Sequence, residues 1–81
     1  MEIREIYARL DKVFQNVFDD PTIHVTPKTT AKDIEDWDSL EHITLVHNVE
    51  RVFKMKFKMS EISTMKNVGA MAQIIAARTK L

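Results

Sequence analysis

Apolar side chains recur through the first eighteen residues at steps of three and four: Ile3, Ile6, Tyr7, Leu10, Val13, Phe14, Val17 and Phe18. That spacing paints one stripe on a helix, so residues 2–18 are predicted helical. Glu5 and Arg9 stand one turn apart with the acid first, the favourable order, worth about 0.3 kcal/mol. Asp19-Asp20-Pro21 ends the helix, because the residue before proline avoids the α region and proline cannot continue the ladder. The periodicity then lapses over residues 19–37, which hold both prolines. A loop of this length in a compact domain is functional or tied down by its side chains. Ile23, Val25 and Ile34 are its apolar anchors, and Thr30-Ala31-Lys32-Asp33 is expected to form one short turn.

The helical step returns at Asp38. Its side chain suits an N-cap, and Glu41 three residues on completes the pattern of a capping box, so a second helix is predicted from Ser39 to about Phe53. Leu45, Val49, Val52 and Phe53 face inward in this reading, and Leu40, Ile43 and Val46 lie partly at the edge. The apolar arc is wider than one core requires, which implies that the helix also shows apolar groups to something else. Lys54 to Met59 alternates charged and apolar residues with the period of a strand, but no second β-branched run exists to pair with it. An extended connector is predicted instead, with Met55 and Phe57 plugging the core. Ser60 is expected to cap a single turn from Glu61 to Thr64 that carries Ile62 and Met65 inward. Asn67 then caps a last helix, Val68 to about Thr79, with Val68, Met71, Ala72, Ile75 and Ala76 on its inner face. Gly69 in the first turn costs up to about 1 kcal/mol relative to alanine, so a close packing contact is expected there. The fold class is all-α: a small bundle of three long helices plus one short helix, with a long loop between helices one and two, in a single domain spanning residues 1–81.

Charge and composition remove several kinds of function. Twelve basic and twelve acidic residues give a formal net charge of zero, without the electrostatic footprint of a nucleic-acid binder. There is no cysteine, so no disulfide framework and no thiolate metal site. His42 and His47 lie five residues apart, splayed around the helix, and His24 stands alone, so no metal site is expected. The five methionines read as core filler. No apolar run approaches a signal or membrane span, and the expected protein is cytoplasmic, with neither membrane nor nucleic acid as partner.

The chemistry concentrates at Ser39. As the first residue of the helix it holds a hydroxyl at the loop's rim, beside the positive end of the helix dipole, where free backbone N–H groups favour a phosphoryl group by roughly 0.3–1 kcal/mol. A nucleophilic serine would need a base within reach and a glycine-lined elbow. The elbow is absent, and His42, the nearest histidine, is read as lying on a different helical face. Taken alone, a serine at a helix start is most often only structural.

The order of features decides against that plain reading. A long helix, a long loop, Asp38-Ser39-Leu40 opening a second helix, Phe53 closing it, a short helix near Ile62, and Val68-Gly69 opening the last together resemble the acyl carrier proteins across essentially the whole chain. The resemblance implies a carrier that is not an enzyme. Ser39, flanked by Asp38 and Leu40, would receive 4′-phosphopantetheine from coenzyme A by the action of a phosphopantetheinyl transferase. A chain without cysteine needs such an imported thiol to hold thioesters. The implied partners are an acyl-loading ligase or acyltransferase and ketosynthase-type or transferase enzymes, acting on a monomer. By position, Ile43, Val46, Phe57, Ile62 and Met65 would line a pocket for the acyl chain.

The sequence also departs from the family pattern. Trp37 stands where a small residue is expected next to Asp38, and Thr44, His47 and Arg51 occupy positions where fatty-acid carriers show acids. Lys54, Lys56 and Lys58 move the sign further. The acids gather instead before and at the helix start, at Asp33, Glu35, Asp36, Asp38 and Glu41. These departures suggest a specialised lipid, polyketide or surface-polysaccharide pathway. The expected docking face is Glu35, Asp36, Trp37, Leu40, Glu41, Ile43, Thr44, His47 and Arg51. An aminoacyl or peptidyl carrier would use the same serine, and an unmodified helical interaction module would share the fold.

Overall fold

The computed structural model describes residues 1–81 and contains four α-helices and no strand. α1 spans Ile3–Val17, α2 Ser39–Phe53, α3 Met59–Thr64 and α4 Val68–Arg78, and a 3-10 turn, Ala31–Asp33, interrupts the long loop. The all-helical fold class and the long first connection are as the hydrophobic pattern predicts. α1 packs against both α2 and α4, so the first helix is the wall on which the others assemble.

Ile6, Leu10, Val13 and Phe14 bury the stripe of α1, while Ile3 at its start is 52% exposed and lies outside the core. From α2 come Leu45, Val46, Val49 and Phe53, and from α4 come Val68, Met71, Ala72 and Ile75, all buried. Val46 is therefore a core residue and not an edge residue, and Val52 is only half-buried. Ala76 is exposed, and the half-buried Ile74 packs on the core in its place, so the inner face of α4 is turned from the expected one. Met55 and Phe57 enter the core from the connector, as predicted.

The long loop is fixed by polar groups on the helices around it. Asp11 of α1 accepts from the Val25 backbone N–H at 2.6 Å, and Gln15 donates to the Ile23 carbonyl at 2.8 Å. On the other side, the Val68 and Gly69 amides of α4 donate to the Thr29 and Pro27 carbonyls at 2.9 and 3.0 Å. This contact explains Gly69: a Cβ there would meet the Pro27 carbonyl oxygen at 2.8 Å, so only glycine admits the backbone. Val25 is buried, and Ile23 and Ile34 are half-buried against the core. The Thr30 side chain and the Asp33 carboxylate close a reciprocal cap on the 3-10 turn.

Two caps differ from expectation. α3 starts at Met59, with Glu61 accepting from the Lys58 N–H at 2.8 Å, so Ser60 is inside the helix and does not cap it. Glu61 also forms a two-pronged ion pair with Arg78, which clamps α3 to the end of α4. This guanidinium, together with the Lys58 amide, holds the Glu61 carboxyl at about 2, well below its ordinary range. At α2, Asp38 caps through the Glu41 N–H at 2.8 Å, but the return bond is not made, because the Asp38 amide donates to the Asp36 carbonyl instead.

Candidate functional site: the start of the second helix

The polar loop feeds Asp38 into extended backbone, and its carboxylate caps the helix that begins at Ser39. Ser39 is exposed. The hydrogen bonds around it are made by its neighbours Trp37, Asp38 and His42, which leaves its hydroxyl free toward solvent. The first amides of a helix have no acceptor within it, so the N–H groups at the Ser39 end carry the positive end of the dipole into solvent beside that hydroxyl.

Beside Ser39 lies an open depression of about 590 Å³, lined by Trp37, His42, Ile43, Met59, Ile62 and Met65 among others. Three of the residues expected to line a pocket, Ile43, Ile62 and Met65, meet here at the serine. Val46 and Phe57 do not: they are 1% and 8% exposed and belong to the closed core behind. Met59, 84% exposed at the first turn of α3, contributes to the rim and is a lining residue that the sequence pattern did not single out.

The back of the depression is closed by a polar chain. The Trp37 indole N–H donates to His42 Nδ1 at 3.1 Å, and His42 Nε2 lies 3.0 Å from the Ile62 carbonyl. An indole N–H only donates and a carbonyl only accepts, which assigns a neutral imidazole with its proton on Nε2. His42 thus joins the loop, α2 and α3 in one bridge, with both ring nitrogens committed and none left to activate a serine. The expectation that His42 lies on a different face from Ser39 does not hold: residues three apart are neighbours on a helix surface, and both line the depression. Trp37 itself is half-buried, edge-on to Phe14 at 5.3 Å and stacked on His42 at 5.9 Å. No pattern of spacing revealed this bridge, since it joins a loop residue to a helix residue across the cap.

The other residues expected on a docking face are spread along the exposed side of α2. Leu40 is 75% and Ile43 46% exposed, and Thr44, His47 and Arg51 continue the same face at helical steps toward its far end. Glu35 and Asp36 are exposed in the loop, and Glu41 is half-exposed. No group of three or more histidine and acidic residues is placed to hold a metal ion. No helix is long and apolar enough to cross a membrane.

A helical bundle with a long first connection that leaves one serine exposed at a capped helix start is the architecture of a carrier domain. No family model and no curated protein matches this sequence. Among solved structures, the solution NMR structure of the holo acyl carrier protein from Geobacter metallireducens superposes with a TM-score of 0.83 at 39% identity, covering 89% of this chain and 83% of that one. The chain belongs to the acyl carrier proteins, which carry and do not catalyse.

Proposed function

We propose that Ser39 is the attachment point for 4′-phosphopantetheine and that this chain presents acyl groups as thioesters on that arm. The observation that carries the reading is the free, exposed hydroxyl at the capped start of α2, with an apolar depression opening beside it. The residues fit the group. A phosphodiester on Ser39 would lie at the positive end of the helix dipole, and Asp38, committed to the cap, keeps the backbone around it helical. When bound, the arm supplies the thiol that this cysteine-free chain lacks. Ile43, Ile62 and Met65 offer the arm or its cargo a shallow apolar rest, and the Trp37–His42–Ile62 bridge limits its depth. That limit favours short cargo.

A phosphopantetheinyl transferase acting from coenzyme A, an acyl-loading ligase or acyltransferase, and ketosynthase-type or transferase enzymes are the partners of this reading. They meet the acidic start of α2 through Glu35, Asp36, Glu41 and Leu40. The polar character of the rest of α2 favours a specialised lipid, polyketide or surface-polysaccharide pathway over bulk fatty-acid synthesis.

Intact-mass measurement after incubation with coenzyme A and a broad-specificity transferase tests this. Wild type gains one phosphopantetheine, and Ser39→Ala gains none while keeping its helical circular dichroism. A folded wild-type protein left unmodified by several such transferases would mark an interaction module instead. In the same assay at low salt, Glu35→Lys with Asp36→Lys slows loading severalfold if the acidic loop docks the transferase, as expected for losing exposed charge pairs. Unchanged rates would remove that loop from the docking face.

A further inference from the structure

The far half of α2 carries a second charged surface of the opposite sign. His47 and Arg51 of the helix, Lys54 at its end, Lys56 of the connector and Arg78 and Lys80 at the end of α4 surround a depression of about 860 Å³. The one acid lining it, Glu50, is buried, and its carboxylate is engaged by the Phe57 N–H at 2.8 Å and by Lys56 at 3.9 Å. It therefore offers little negative charge to an incoming molecule. Arg78 is partly neutralised by Glu61. Lys54 and Lys80 have no ionic partner, and the Arg51 guanidinium is held along the helix by Asn48 at 2.6 Å.

Lys54 closes α2 in the left-handed region, with φ 53° and ψ 54°. Glycine is the comfortable residue at such a helix end, and a lysine there is strained. The zero net charge of the chain conceals a segregation. Ser39 and Lys54 are separated by fifteen residues of helix, about 22 Å of rise, which exceeds the Debye length of about 8 Å at physiological salt. The acidic and basic ends therefore do not cancel as seen by a partner.

We propose that this basic depression is a second docking surface that receives a short acidic segment of a client protein. The inference rests on the carrier reading for the identity of the client. It adds that a client must be bipolar, with basic groups toward Ser39 and acidic groups toward Lys54, which fixes the direction in which it lies along α2. A nucleic acid fits less well, since a long polyanion following α2 would run onto Glu41, Glu35 and Asp36.

Amide chemical shifts of the apo protein during titration with an octaglutamate peptide test the surface without any loading step, so failure here is separate from failure at Ser39. At low salt the peptide should shift Arg51, Lys54, Lys56 and Lys80 saturably, and about 1 M salt, with a Debye length near 3 Å, should abolish the effect. Lys54→Gly, which relieves the left-handed strain, should bind the peptide roughly two- to fivefold more weakly while melting at a higher temperature. Arg51→Glu with Lys80→Glu should bind it at least about tenfold more weakly with an unchanged fold. Shifts that are absent, that spread equally to Lys12, Lys28 and Lys66, or that survive in both variants would overturn the proposal. So would tighter binding at the same residues by inorganic phosphate or a single-stranded oligonucleotide. Concentration-dependent sedimentation at low salt with the same shifts in the absence of peptide would assign the surface to a second copy of the chain and overturn it equally.

Discussion

Over its first two turns α2 shows Ser39, Leu40 and Ile43 to solvent, and one carboxylate, Asp38, fixes where it starts. At its last turn Phe53 is fully buried, its carbonyl accepts from the Thr79 hydroxyl at 2.8 Å, and the departing chain is caught by Glu50. One end is therefore held by a surface cap and the other by core packing and buried polar bonds. The difference separates two kinds of residue along one helix: the buried side chains at the closed end stabilise the domain, and the exposed ones at the open end are free to meet other molecules. Changes at the Ser39 end should alter what the protein does more than how stable it is, and changes to the buried Phe53 and Glu50 the reverse.

The comparison breaks most easily at Phe53. Phe53→Ala should lower the unfolding free energy by about 3–5 kcal/mol, a large share of the total for a domain this small, as read by urea denaturation. A loss below about 1 kcal/mol would mean that the closed end is not what anchors α2. Next comes Glu50→Ala, which leaves the Phe57 N–H buried without an acceptor and should cost about 1–3 kcal/mol by the same measurement. Loading of Ser39 by a transferase should persist in whatever fraction stays folded. The smallest effect is the acid response of the Glu61–Arg78 clamp, whose side chains solvent still reaches. Because the folded carboxyl titrates at about 2, below its unfolded value, its contribution is complete above the unfolded value near 4.5 and declines as pH falls toward 2. Acid unfolding followed by circular dichroism should lose its dependence on Glu61 in that window when Glu61→Gln is compared with wild type.

Much of this division was readable from residue order. Asp38 as cap, Ser39 as first helical residue, Phe53 as last, Asn67 as the cap of α4 and the close approach at Gly69 all follow from local chemistry, where a side chain and the backbone it serves lie within a few residues. What escaped depends on where elements settle against each other. Val46 turned from edge to core, and Ala76 from core to surface, because a rotation of a helix about its axis by a few tens of degrees is invisible to periodicity. The cap of α3 moved from Ser60 to Lys58 because Glu61 serves the Lys58 amide, a bond that competes with any hydroxyl cap. The His42 bridge joins Trp37 to Ile62 through space, and the basic depression draws on three separate segments. Site chemistry held by one residue was legible, and site shape built from several elements was not.

The indole of Trp37 is the single one in the chain, and it rests on the imidazole that backs the hollow next to Ser39. Its fluorescence is therefore an internal optical gauge of that hollow. Were a cargo to enter between α2 and α3 it would disturb the ring pair, so emission from unlabelled protein could be followed in real time to tell a sheltered cargo from one left swinging in water.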